Sequence, residues 1–183
     1  MEKLLERPLP KPSTEDYAAA RALEALVEAG LALEFVKRGL VRNAAGKAFQ
    51  AWRALLAALL RLEIEKIKTT AKTEEEKRWL EERAVSRAPT SRIRQLALML
   101  DAAYGDVSLW TEIALNLHDY QYHGPDPDMA LSRYKSPEEA AFDVVRLVKK
   151  IYKLIETARP RLKWGTELQV ALEWLGKELV AHE

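Results

Sequence analysis

Long segments of this 183-residue chain have apolar residues at every third or fourth position. The seven glycines and eight prolines fall mostly between these segments. A spacing of three or four places the apolar side chains on one face of an α-helix, and no segment alternates apolar and polar residues as a strand does. The sequence therefore predicts an all-α fold in a single domain. We expect an antiparallel bundle of four to five long helices with short extra helices.

Local start and stop signals set the expected helix boundaries. Ser13 or Thr14 can cap a first helix that ends near Gly39. Thr73 and Glu76 form a capping box for a short third helix. The remaining helices are expected at residues 40 to 68, 92 to 104, about 106 to 123, 136 to 158 and 166 to 181. As domain organisation we expect an extended lead-in at residues 1–12, the bundle at 13–158 and an extra C-terminal helix within 159–183.

Two positions predict local structure in more detail. Ser136 stands where an N-cap residue accepts a hydrogen bond, followed by Pro137 at the first helical position and Glu139 at the third. Gly30 lies inside the apolar stripe of the first helix, where it weakens the helix slightly but allows a neighbouring helix to approach closely.

Composition excludes several classes of function. The chain has no cysteine, so disulfides, thiolate metal sites and cysteine nucleophiles are excluded. The net charge is +1, so contact with nucleic acid must use a local basic patch. The sequence has no apolar run long enough to span a membrane, and its first residues lack the apolar region of a signal peptide, so we expect a cytoplasmic protein without membrane contact. The chain has many charged residues and only two asparagines, an amino-acid composition that resembles that of thermophile proteins.

The densest polar and aromatic stretch is LHDYQYHGPDPD, residues 117 to 128. His118 lies at the edge of an apolar helix stripe and His123 follows five residues later, whereas two histidines that share a metal on one helix prefer a spacing of three or four. We therefore expect no metal site and no cofactor. If the helix ends between the two histidines, both lie at one helix end beside Tyr120 and Tyr122. The alternative is an ordinary helix C-terminus, where imidazoles meet the negative end of the dipole.

The same stretch resembles the HEPN domain, a helical bundle that is often dimeric and in many members a metal-independent RNase. The resemblance implies that His123 takes the motif histidine, Asp119 the polar residue and His118 the place of an arginine. His118 and His123 are then the candidate catalytic residues. An imidazole that is mostly neutral at pH 7 replaces a permanent charge at position 118, so the resemblance implies a degenerate enzyme with a weak phosphate clamp.

Two parts of the sequence are similar to the archaeal PaREP family, which belongs to the HEPN-like group. The first is GLVRNAAGKAFQAWRALLAALL, residues 39 to 60, and the second is ALNLHDYQYHG followed by AAFDVVRLVKKI. The similarity covers roughly residues 15 to 157. It implies a nucleotide- or RNA-associated module that acts as a homodimer or beside a partner such as a nucleotidyltransferase.

The basic residues add candidates for ligand binding. Arg83, Arg87, Arg92 and Arg94 cluster in the sequence, and such a cluster either positions phosphates or is a solvated face that balances acidic residues. The candidate ligand-binding residues are thus Asp119, Tyr120, Tyr122, Arg92 and Arg94. The competing hypothesis is a non-catalytic interaction protein whose helical faces serve only assembly, and the sequence leaves open whether the protein is an enzyme.

Overall fold

The computed structural model of the protein describes residues 2–182, and all regular structure in that range is helical. Eight α-helices follow one another along the chain: α1 Glu15–Lys37, α2 Val41–Thr70, α3 Glu74–Trp79, α4 Val85–Arg87, α5 Ile93–Tyr104, α6 Val107–His123, α7 Pro137–Ala158 and α8 Thr166–Val180. Short 3-10 turns lie at Glu2–Leu4, Thr90–Arg92 and Arg159–Arg161, and a π-helix at Leu80–Ala84 joins α3 to α4. The predicted all-α fold is confirmed.

The centre of the bundle is α2. Between residues 51 and 60 every side chain except that of Arg53 is buried, which is typical of a helix that is covered on all sides. A turn at residues 38–40 reverses the chain, with Gly39 at a φ of 70°, so α1 packs antiparallel to α2. The α6 and α7 helices cover other sides of α2, α8 packs on α1, and α5 packs on α6.

The register between α2 and α6 positions the stretch of interest. The buried Trp52 indole N–H donates to the Thr111 hydroxyl at 2.9 Å, while Phe49 contacts His118, further along α6. The contact partner of the earlier residue in α2 is thus the later residue in α6, which means that the two helices are antiparallel. As a result, the carboxyl end of α6 lies beside the amino end of α2.

The predicted helix starts at Thr73 and Ser136 are confirmed. The Ser136 hydroxyl accepts from the Glu139 N–H at 3.4 Å, and the Glu139 carboxylate accepts from the Lys135 N–H at 2.8 Å. Thr73 makes the corresponding bond to the Glu76 N–H at 3.1 Å. Both helices therefore begin with reciprocal side-chain bonds to backbone donors.

Three local expectations need correction. Thr14 occupies the cap position of α1, but its hydroxyl donates to the Lys11 carbonyl and does not cap the helix. The third helix does not stay α-helical, because the π-helix follows at Leu80–Ala84. The lead-in is not extended throughout, since Glu2–Leu4 form a 3-10 turn, and Met1 lies outside the described residues.

In the part of the chain that the structure describes, none of the helices is both long enough and apolar enough to cross a membrane.

Candidate functional site

The two histidines of interest lie on one unbroken helix. Gly124, with a φ of 71°, ends α6, and its N–H donates to the Tyr120 carbonyl at 2.7 Å. His118 and His123 are therefore separated by about 140° around the axis of α6. The helix extends to the end expected near residue 123 and does not end between the two histidines, because the turn falls one residue after His123. The two imidazoles on one chain thus do not face a common point.

His118 packs against aromatic rings. Its imidazole stacks on Phe49, with ring centroids 4.1 Å apart and 23° between the planes, and meets the edge of Tyr122 at 5.3 Å. Its Nδ1 is buried without a hydrogen-bond partner. Burial lowers the pKa of His118 below its ordinary value, Asp119 offsets this only in part, and the Arg53 guanidinium lowers it as well. The folded protein therefore favours a neutral imidazole at position 118.

The other residues singled out in this stretch have different surroundings. Tyr120 is buried in the core and meets the ring of Tyr134 edge-on at 5.6 Å, so it does not line an open groove. Tyr122 is 61% exposed, and Asp119 and His123 are exposed as well. Of the two tyrosines, only Tyr122 is available to a ligand.

An arginine from the start of α2 caps the end of α6. The Arg42 guanidinium donates through Nε to the Gln121 carbonyl at 3.0 Å and through Nη2 to the Tyr122 carbonyl at 2.5 Å. These are two of the last carbonyls of α6, which have no partner within the helix. The contact stabilises the helix end and also fixes a permanent positive charge beside Tyr122.

A cavity of about 520 Å³ opens where α2 meets α6, next to Arg42. Lys47 lies on its wall and pairs with Glu28 of α1 at 2.8 Å. Gly46 brings the two helices close, since a Cβ at this position would approach the Gln121 side-chain oxygen to 2.4 Å. The lining is predominantly polar: Phe35, Arg42, Asn43, Gly46, Lys47, Gln50 and Gln121. The cavity therefore has the character of a site for a polar ligand.

Arg53 continues the same surface along α2. Its guanidinium lies 5.9 Å from the centroid of the Phe49 ring, donates to Gln50 at 3.2 Å and donates to the Arg87 carbonyl at 2.9 Å. A series of contacts thus runs without a break from Arg42 to Arg53. We call this surface the α2–α6 groove, formed by Arg42, Gly46, Phe49, Gln50 and Arg53 of α2 with His118, Gln121 and Tyr122 of α6.

The two arginines singled out near the start of α5 are placed differently from each other. Arg94 makes a bidentate pair with Glu112, at 2.6 Å and 2.9 Å, and these bonds hold the pKa of Glu112 below its ordinary value. Arg92 lies over the Trp79 ring at 4.7 Å, in a separate cavity. The charge of Arg94 is neutralised within the fold, whereas that of Arg92 is not balanced by a carboxylate in its cavity.

The groove combines fixed positive charge with a partly open aromatic surface. The first turn of α2 contains no acidic residue, so the positive end of its dipole adds to the charge of Arg42. Among the described residues, no group of three or more histidine or acidic side chains is arranged to hold a metal ion. The available chemistry is attraction of an anion and stacking of a planar group.

Residues 20–145 match the model of the archaeal PaREP1/PaREP8 family, a span that covers more than half of the chain. The chain belongs to this family. The match contains α2 and α6, so the groove lies inside the part of the chain that defines PaREP1/PaREP8 membership. Neither a curated protein nor a solved structure matches the chain.

Sequence reasoning missed Arg42 and Arg53. Their contacts to α6 and to the end of α4 span large separations along the chain, so they exist only after the helices have packed. A signal was nevertheless present, because positions 42, 46, 49 and 53 share one face of a helix in this PaREP1/PaREP8 member.

Proposed function

We propose that this protein is an HEPN-like module that binds single-stranded RNA or a nucleotide along the α2–α6 groove. The proposal rests on the unbroken contacts from Arg42 through Tyr122, His118 and Phe49 to Arg53. They place two permanent cations roughly 16 Å apart along α2, and between them the buried Phe49 supports the half-buried His118 and the exposed Tyr122 ring. Guanidinium groups bind phosphates and exposed rings stack on unpaired bases, and single-stranded RNA sites use this combination.

RNA cleavage is expected to be weak or absent. Metal-free cleavage needs a base that reaches the 2′-hydroxyl and a positive charge beside the phosphate. The Nδ1 atom of His118 is buried, and His123 lies about 140° around the helix from it. We therefore propose that His118 and His123, the candidate catalytic residues, are the remnant of an RNase site whose geometry is lost, and that Arg42 and Arg53 supply the positive charge of the missing motif arginine.

Replacing Tyr122 with alanine should weaken binding of a single-stranded RNA of about 12 nucleotides roughly tenfold, because one base loses its stacking partner. The measurement is fluorescence anisotropy of labelled RNA. The matched control is Val170→Ala, which trims an exposed apolar side chain (50%) on α8, outside the groove. RNA binding by the control should equal that of the wild type. Equal losses in both variants would place the RNA elsewhere.

Binding should also strengthen as the pH falls from about 7.5 to about 5.5, because a protonated imidazole attracts phosphate. Since burial lowers the pKa of His118, its contribution should come at the acid end of that range. His118→Ala should reduce the pH dependence, with folding checked by melting. If this variant responds to pH like the wild type, or if no RNA binds at either pH, the hypothesis of a non-catalytic interaction protein replaces this one.

We further propose that the protein is a homodimer. Exposed apolar side chains on three helices support this proposal: Leu98 of α5, Leu109 of α6 and Phe142 of α7. Arg146 lies over both Trp110 and Phe142, so α6 and α7 present one continuous surface. Leu109 is nine residues from His118, half a turn around α6, which leaves the groove accessible in such a dimer and not facing its axis. A nucleotidyltransferase partner is suggested only by the HEPN resemblance.

Light scattering should give twice the monomer mass of 20.8 kDa at micromolar concentrations. Leu109→Glu should shift the mass towards the monomer, because a charge would be buried at the interface. A monomer mass for the wild type over the whole concentration range would contradict the dimer.

A further inference from the structure

The segment between α3 and α5 has an irregular backbone. Leu80–Ala84 form a π-helix within an otherwise α-helical stretch, and Ala88 has a φ of 37°, a left-handed conformation that residues with a side chain rarely adopt. π-Helices and residues held in such conformations are enriched at functional sites. These two features make the segment a candidate ligand site.

The irregular segment forms one wall of a cavity of about 210 Å³. We call it the arginine cavity, and its lining residues are Trp79, Arg83, Arg87, Pro89, Ser91 and Arg92. None of the six is acidic, and within residues 2–182 no ion pair neutralises any of the three arginines. Three guanidinium groups without a carboxylate repel one another unless an anion lies between them.

One of these guanidinium groups is already oriented. Arg92 lies over the Trp79 indole at 4.7 Å, which holds the face of its guanidinium and leaves the N–H edge free to donate. The twelve-residue helix α5 begins directly after Arg92 and has neither a side-chain cap nor an acidic residue in its first turn. The positive end of its dipole adds to the charge of the cavity.

We infer that the arginine cavity binds a phosphate group. Its volume is below the roughly 300 Å³ at which cavities begin to accept drug-sized ligands, so it suits one anionic group better than a whole nucleotide. Arginine forks match the oxygens of a phosphate, and the positive end of the α5 dipole adds to the attraction. The phosphate is a free anion or the end of an RNA strand, and the second source rests on the RNA binding proposed above.

The groove leads to this cavity. Arg53, at one end of the groove, donates to the Arg87 carbonyl at 2.9 Å, and Arg87 lines the cavity. An RNA strand in the groove therefore reaches the arginine cavity next to Arg53. Its terminal phosphate then lies among the three arginines of the cavity.

The first test uses inorganic phosphate alone, added to ¹⁵N-labelled full-length protein at an ionic strength held constant with sodium chloride. The side-chain N–H signals of Arg83, Arg87 and Arg92 and the indole signal of Trp79 should shift together and saturate. Arg87→Gln should weaken the affinity about tenfold or more, since a charge-assisted pair is lost. The matched control, Arg78→Gln, removes an exposed arginine of α3 and should leave the affinity unchanged.

Shifts that never saturate, or equal effects of Arg87→Gln and Arg78→Gln, would overturn the inference. Arg83→Gln provides a second, independent variant, and melting curves verify that each variant is folded.

A second arm compares short RNAs with a 5′-phosphate, a 3′-phosphate or neither. A preference for one end that disappears in Arg87→Gln assigns the cavity to an RNA terminus. Equal binding of all three RNAs, together with saturation by inorganic phosphate, assigns it to a free anion. Phosphate binding without RNA binding would leave this inference standing and remove the proposed function, and RNA binding without phosphate saturation would do the reverse.

Discussion

Replacing Arg161 with methionine should lower the free energy of unfolding by about 2–3 kcal/mol, because the buried Glu63 carboxylate loses its main partner and keeps only Tyr104 and the exposed Lys66, 3.4 Å away. The Glu63 side chain is only 3% exposed and pairs with Arg161, which also donates to the Leu62 carbonyl at 2.6 Å and the Tyr104 hydroxyl at 3.1 Å. Arg161 is 42% exposed, so solvent screening keeps the expected loss below that of a fully buried pair. Chemical denaturation near neutral pH measures it.

The matched control is Arg159→Met, which removes an exposed arginine two positions away that lies over Trp164. Its cost should be below about 1 kcal/mol. Burial opposes the charge on Glu63, but the bonds from Arg161 and Tyr104 outweigh it and lower the pKa of Glu63. The stabilisation is therefore complete above the ordinary glutamate pKa and is lost as the pH falls through the lowered value. If both variants are equally stable, the pair contributes nothing specific.

Replacing Gly30 with alanine should destabilise the protein by about 1–3 kcal/mol, because the new methyl group overlaps with a neighbouring ring. A Cβ at position 30 would lie 1.9 Å and 2.1 Å from two ring atoms of Trp174 in α8. The indole is rigid and must move outward, which loosens the contact between α1 and α8. Thermal and chemical unfolding measure the loss.

Gly176→Ala is the matched control for this substitution. Position 176 is also helical, but a Cβ there would meet the Tyr152 hydroxyl at 3.4 Å and its ring at 3.5 Å or more. Alanine is the better helix former, so this variant should be as stable as the wild type or more stable by up to about 1 kcal/mol. A Gly30→Ala variant of equal stability would indicate that α8 does not pack closely on α1.

The helices themselves were predictable from the sequence because their signals are local. The apolar spacing and the capping residues Thr73 and Ser136 act within a few residues of themselves, and the structure has both caps. The close packing expected at Gly30 is also confirmed by its contact with Trp174. Propensity and capping agree along most of this chain, which is why the predicted boundaries are close to those observed.

The candidate site was less predictable because it depends on contacts between distant residues. Tyr120 and Tyr122 are equivalent in the sequence, but the packing of α6 against Tyr134 buries one and leaves the other exposed. The π-helix at Leu80–Ala84 has no local sequence signal comparable to a cap. The sequence also does not predict that Arg92 lies over Trp79 while Arg94 pairs with Glu112. Side-chain position within a bundle follows from packing, which a single sequence does not specify.

The most direct test of the proposed RNA groove is photo-cross-linking of a short single-stranded RNA that contains 4-thiouridine, followed by mass spectrometry of the linked peptides. Links are expected to Tyr122 and His118 of α6 and to the stretch of α2 between Arg42 and Arg53. Unlabelled RNA should compete for these links. Links confined to the opposite side of α6, around Trp110 and Phe142, or no links that unlabelled RNA can displace, would contradict it.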